Sequence, residues 1–197
     1  MLLSAATNLF GFGTSEGVEK AWDARGRGRK EDEKKSGLQE LVQNASKMFG
    51  PNNLWSKLAQ YGHDGRTEKF TPEEKTYLKE LKQGVGNCRI GYCVMNAQKL
   101  ATHALGDPRV NYVEGLVTVH GVPLDHAWIE FNGKVFDPTT ANVNWKIKTG
   151  APKGEYFGVT VPKNEIFKNQ LRTRTYSFLS HQWGNKDLMG KIWKESN

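Results

Sequence analysis

The sequence predicts an α+β chain, with helices in its first half and an antiparallel sheet in its second. Three observations predict it. Leu38, Leu41, Val42 and Ala45 recur at i, i+3, i+4 and i+7, the spacing of one helix face. Thr71-Pro72-Glu73-Glu74 is a helix start: Thr71 can cap, Pro72 suits the first position and Glu74 completes a capping box. Asn132-Gly133, set between apolar runs, is a strong short hairpin signal.

The chain has 197 residues, enough for one well-packed domain or for one domain with a small appendage. Hydrophobic residues at 37% and charged residues at 25% suit a soluble globular protein. With 21 Gly and 7 Pro, a collagen-like or Pro-rich chain is excluded. No apolar run approaches the roughly 18 to 20 residues of a membrane-spanning helix, so no membrane partner is expected. Two cysteines exclude a disulfide-stapled scaffold. The formal charge of +7 permits anionic partners without requiring them. Its distribution is uneven: residues 141–197 hold ten Lys or Arg and four Asp or Glu.

The opening MLLSAATNLFGFGTS has no basic n-region and no small-residue cleavage site after a long apolar core, so a secretory signal is not expected. A cytoplasmic or virion-associated location is the expectation. RGRGRKEDEKK, residues 25–35, reads as a solvated linker because Glu31, Asp32 and Glu33 interrupt its basic residues. A nucleic-acid contact is the other reading, weakened by the lack of interleaved aromatics. Residues 1–37 are therefore an N-terminal extension and charged linker, and residues 38–83 a helical segment packing on the core. In that segment the first helix ends at Gly50-Pro51. Leu54, Trp55, Leu58 and Ala59 give a further turn or two, and the helix that starts at Pro72 carries Tyr77, Leu78 and Leu81 before Gly84.

Gly84, Gly86 and Gly91 make the next stretch conformationally permissive. A helix then runs through CVMNAQKLATHAL, with Cys93, Ala97, Leu100, Ala101 and Ala104 on one side, and stops at Gly106-Asp107-Pro108. Cys93 thus falls in a first helical turn, where unpaired backbone N–H groups and the positive dipole end favour the thiolate. NYVEGLVTV, LDHAWIEF and KVFDPT read as strands, with His120-Gly121-Val122-Pro123 and Asn132-Gly133 as their turns. A two-residue Asn132-Gly133 loop sets Phe131 opposite Lys134 and Trp128 opposite Asp137. His126 is then a diagonal neighbour of Asp137, roughly 7 Å away, so a His–carboxylate hydrogen bond is feasible. Ala127, Ile129, Phe131 and Phe136 make the opposite, buried face.

A thiol at a helix start, an imidazole and a carboxylate that orients it are the parts of a cysteine-based acyl-transfer site. Cys93 is the candidate nucleophile, His126 the base and Asp137 the orienting group. Cys88 competes as nucleophile, could form a disulfide with Cys93 in an oxidising compartment, and gives only a weak C-x4-C zinc signal. His63, His103, His120 and His181 have no partner pattern and default to structural or surface roles. Trp128 and Tyr112 are core or pocket-wall residues, with Trp128 placed to shield the His–Asp pair, and Glu114 could face the site. The backbone N–H of Cys93 is the expected oxyanion donor, with Gln83 and Asn87 as side-chain alternatives.

GYCVMNAQKLA, YVEGLVTV, PLDHAWIEFNGKVFDPT and EYFGVTVP together resemble a group of small transglutaminase-like, papain-like cysteine enzymes, a number of them encoded by phages and bacteria. The resemblance covers roughly residues 84–162, and its most specific part is HAW followed by the N-G hairpin and V-x-DPT. It implies an α+β fold in which the Cys-bearing helix packs on the antiparallel sheet bearing His126 and Asp137. It matches Cys93, and not Cys88, as nucleophile. It implies one thioester intermediate: water as acceptor gives a peptidase, amidase or deamidase, and an amine gives a transglutaminase. The substrate would be a protein or peptide, attacked at a Gln or Asn carboxamide or a peptide amide, with no metal and no organic cofactor. On this reading residues 84–170 are the catalytic core. Two other function classes stand beside it: a phage structural or interaction protein on the same scaffold, with a virion or other protein as partner, and a nucleic-acid-associated protein.

The third class would draw on residues 171–197, a basic, aromatic C-terminal tail. EYFGVTV is a strand ending at Pro162, and residues 164–169 are a short helix. Beyond them Arg172, Arg174, Lys186, Lys191 and Lys194 alternate with Tyr176, Phe178, Trp183 and Trp193. That pattern can hold nucleic acid, or can dock its aromatics on the domain while the charges stay wet.

Overall fold

The computed structural model describes residues 36–50, 53–140 and 154–179. The charge run at 25–35, His181, Trp183, Lys186, Lys191, Trp193 and Lys194 lie outside the described residues. The described chain runs α1 (Gly37–Phe49), α2 (Leu54–Tyr61), β1 (His63–Asp64), α3 (Pro72–Val85), α4 (Cys93–His103), β2 (Val110–Val119), β3 (Val122–Phe131), β4 (Lys134–Phe136), β5 (Tyr156–Val161) and α5 (Lys163–Thr173). It is an α+β fold. The sheet order is β1-β5-β2-β3-β4, and every neighbouring pair is antiparallel.

Local chemistry sets the helix ends. Ser36 caps α1 by accepting from the Gln39 N–H. Thr71 and Glu74 form the capping box of α3, with the Glu74 N–H donating to Thr71 and the Thr71 N–H to Glu74. α3 continues past Gly84, where the sequence predicts its end. A Cβ at Gly84 would stand 2.4 Å from the His103 ring, so this glycine lets α3 approach α4. The residue that ends the helix is Gly86, whose positive φ of +78° suits glycine. α5 is also longer than predicted. It buries only Ile166 and Asn169, so its apolar period is too sparse to read.

Both hairpins of the sheet are two-residue turns with positive φ at both positions: His120 and Gly121 at 51° and 80°, Asn132 and Gly133 at 52° and 73°. Val122 and Pro123, placed in the first turn by sequence, belong to β3. β4 pairs only with residues 129–131, so Pro123 stands on an edge where its missing N–H costs no ladder bond.

One face of the sheet, with Tyr112, Leu116, Ala127, Ile129, Phe131, Phe136, Phe157 and Val159, is packed beneath apolar residues of all five helices, among them Leu38, Leu58, Leu78, Leu100 and Ile166. The other face carries a smaller cluster of Val113, Val117, Trp128, Val135 and Tyr156. Gly115 and Gly158 face each other across β2 and β5. A Cβ on Gly115 would lie 2.2 Å from the Phe157 carbonyl oxygen, against backbone that cannot move aside. Gly115→Ala is therefore expected to destabilise the fold by roughly 1–3 kcal/mol, read as a lower urea midpoint.

Candidate functional site

The Asn132-Gly133 hairpin produces the register read from sequence: Phe131 pairs with Lys134, Glu130 with Val135 and Ile129 with Phe136. β4 then stops, and Asp137 begins a tight turn in which its Oδ1 accepts from the N–H groups of Thr139 (2.9 Å) and Thr140 (3.3 Å). Its Oδ2 lies 2.7 Å from His126 Nε2 and accepts from the Tyr156 hydroxyl at 3.1 Å. The Asp137 side chain is fully buried and that of His126 is 12% exposed. Four donors fix the carboxylate, and the carboxylate fixes the ring.

The short β4 also admits the cysteine. In a two-residue hairpin the flanking residues are a hydrogen-bonded pair, and such pairs alternate along an antiparallel ladder. Val119 and Val122 are the first pair of the β2–β3 ladder, so Ala127, opposite Glu114, points its N–H and C=O away from β2. That is the side on which β4 has already ended. The Ala127 N–H there lies near enough to the Cys93 sulfur to favour its thiolate. The helix start thus meets the sheet at the open edge of β3, and the His126 ring stands near enough to the thiol to favour its ionised form. Since Nε2 is engaged by Asp137, Nδ1 is the nitrogen left for the sulfur.

Cys93 is the first residue of α4, after Gly91 at φ +79° and an N-cap, Tyr92, that supplies no side-chain bond. The first N–H in the helix ladder is that of Asn96, bonded to the Tyr92 carbonyl. The N–H of Val94 supports the Cys93 sulfur, and that of Cys93 itself stands outside the ladder beside the thiol.

The electrostatics follow from these contacts. Burial opposes ionisation of Cys93, but the His126 hydrogen bond and charge, with the Ala127 and Val94 N–H groups, outweigh it and hold the thiol below its ordinary pKa. Burial likewise works against a charged His126, yet the bonds to Asp137 and Cys93 raise it from 6.5 to about 9. Asp137 is held below the usual carboxylate range: burial would raise it, and His126 with the two turn N–H groups prevails. The arrangement favours a thiolate–imidazolium–carboxylate chain. Cys88 goes the other way. It is buried, and burial pushes its thiol up. Neither cysteine is in a disulfide.

Trp128 lies on the His126 side of the sheet, its ring centroid 6.4 Å from the imidazole and nearly parallel to it, and Tyr156 lies edge-on to Trp128. The two aromatics screen the His–Asp bond from water. Glu114 and Tyr112 are in the core under α4. The Tyr112 hydroxyl donates to Glu114, which also accepts the Leu179 N–H. Gln83 and Asn87, the side-chain oxyanion candidates, are exposed and do not line the cavity at the thiol. His63 pairs with buried Glu130, and His103 sits against Gly84, both apart from the site.

Three features have no counterpart in the sequence reading. Tyr156 donates to Asp137. Asn96 bonds Thr139 and both backbone groups of Arg89. The segment after α5 forms a wall of the site: a cavity of ≈ 430 Å³ lies between residues 91–95 and Tyr176, Ser177 and Phe178. Gln98 anchors that wall by donating to the Ser177 carbonyl. A polar Asn and Gln on an otherwise Ala- and Leu-lined helix face are the signal that could have found the last two. Among the described residues no cluster of His, Cys, Asp or Glu could hold a metal ion, and no helix is long and apolar enough to cross a membrane. The chain matches no protein-family model, no curated protein and no solved structure.

His126 is expected to titrate near 9 by NMR, and to fall towards 6.5 in Asp137→Asn, which keeps the burial and loses the anion. Because its folded pKa is raised, the stability His126 contributes is complete below about 6.5 and is lost as pH climbs through about 9.

Proposed function

We propose that this protein is a cysteine-dependent amide-cleaving or acyl-transferring enzyme with a transglutaminase-like, papain-like core. The observation that carries the reading is the hydrogen bond from His126 to the buried Asp137, with the Cys93 thiol beside that ring and an open cavity at the thiol. The helix bearing Cys93, set against the strand that bears His126 and the turn after β4 that bears Asp137, supports the likeness read from GYCVMNAQKLA and HAWIEFNGKVFDPT.

The Cys93 thiolate adds to the carbonyl carbon of an amide, forming the S–C bond, and the oxygen takes the negative charge. The N–H of Cys93, free of the helix ladder, is a backbone donor for that oxygen. Collapse of the intermediate breaks the C–N bond, and His126 gives its Nδ1 proton to the departing amine, or to ammonia when the amide is a side-chain carboxamide. The acyl group is left as a thioester on Cys93. Water or an amine, deprotonated by His126, attacks it, the S–C bond breaks, and the thiolate–imidazolium pair is restored. Asp137 stays ionised throughout and holds the ring. None of these steps calls on a metal or an organic cofactor. The substrates that fit are proteins or peptides presenting a Gln or Asn carboxamide or a main-chain amide.

An activated ester tests this chemistry without knowledge of the substrate. With p-nitrophenyl acetate, wild type should release one equivalent of nitrophenol in a burst and carry an acetyl group on Cys93 by mass spectrometry. His126→Ala should slow the burst by roughly 10²–10⁴-fold. Acetylation of Cys88 instead, or a burst that survives Cys93→Ala, would refute the assignment.

A further inference from the structure

The segment between α3 and α4 that leads into Cys93 is bracketed by Gly86 and Gly91, both in the left-handed region at φ +78° and +79°. A loop of that kind has no strong conformational preference of its own, yet the residue it delivers must meet an imidazole on another element. The fixing comes from Asn96, three residues after Cys93 and 1% exposed. Its Oδ1 accepts the Arg89 N–H at 3.1 Å and its Nδ2 donates to the Arg89 carbonyl at 2.7 Å. The side-chain amide pairs with the loop as a strand residue would, in a closed ring. Its second N–H donates at 3.0 Å to the hydroxyl of Thr139, itself 6% exposed. Thr139 is the residue whose N–H bonds Asp137 Oδ1.

We propose that Asn96 is a positioning residue for the reaction: it ties the approach to Cys93 and the turn that carries Asp137 to one another, and so sets the thiol against the imidazole. Three of its bonds run to two segments that are far apart in sequence, and all of them are buried or partly buried. Asn ranks low among helix interior residues, because its amide competes for backbone groups. Here that competition is put to use on the loop one turn before the helix. The proposal rests on the reading of Cys93 as nucleophile and adds the part that holds it in place.

Thr139→Val tests one arm without removing volume. It deletes the acceptor of the Asn96 bond and leaves the N–H that serves Asp137. Thr139→Ser keeps the hydroxyl and is the rescue control, and Asn96→Ala removes both arms. The readouts are the pH dependence of iodoacetamide alkylation of Cys93, mapped by mass spectrometry, and the thermal midpoint. A displaced thiol loses the His126 contact, so its alkylation midpoint should rise. At pH 6 the rate should drop by roughly tenfold in Thr139→Val and by roughly a hundredfold in Asn96→Ala, with Thr139→Ser matching wild type. The thermal midpoint need not follow the same order. Should wild type alkylate rapidly at pH 6 while Thr139→Val keeps both its midpoint and its rate, the positioning role is overturned and the nucleophile stands. If wild-type Cys93 reacts no faster than an ordinary thiol, the nucleophile reading fails and the proposal falls with it.

Discussion

The bond between His126 and Asp137 is the contact from which the rest of the site takes its geometry and its charge. A carboxylate with no solvent exposure is costly unless every lone pair has a donor. Asp137 meets that requirement with the His126 ring, the Tyr156 hydroxyl and two N–H groups of its own turn. The negative charge so stabilised is what allows a nearly buried imidazole to stay protonated next to a thiol. Without it burial would decide the outcome, and both sulfur and ring would be neutral.

The backbone supplies the remainder of the arrangement through a shortened strand. β4 holds three residues, enough to set the register of the hairpin and to deliver Asp137, and too few to cover the edge of β3 beside His126. The start of α4 takes up that edge, and the Ala127 N–H, which a longer β4 would have bonded, is left facing the Cys93 sulfur and favours its thiolate. The same termination therefore places Asp137 and leaves a backbone N–H beside the Cys93 thiol. Asn96 then closes the structure from the helix side by joining the loop before Cys93 to the turn after β4.

What could be read in the sequence was local or governed by a short register. The capping box at Thr71 and Glu74 and the turn at Asn132-Gly133 are each fixed by neighbours a few residues away, and both form as read. Counting back from that turn was enough to place His126 beside Asp137, because a two-residue loop leaves the strands one pairing. Contacts between distant segments were not legible. Gly84 looked like a helix stop, since nothing in the chain announces that His103 will press against it. Tyr156 lies nineteen residues from Asp137, and its strand was visible while its hydrogen bond was not. Asn96 was counted with its helix, although a polar residue among alanines and leucines is a sign of a buried partner. The cavity wall at 176–178 depends on where α5 ends, which its sparse apolar pattern could not give.

The central claim is that Cys93 is held as a thiolate by a protonated His126. Ultraviolet thiolate absorbance across a pH titration measures this directly. The account predicts one thiolate per chain that titrates below the ordinary cysteine midpoint near 8.5, absent in Cys93→Ser and shifted upward in His126→Ala. A wild-type Cys93 midpoint at or above about 8.5, or one that does not move in His126→Ala, would contradict it.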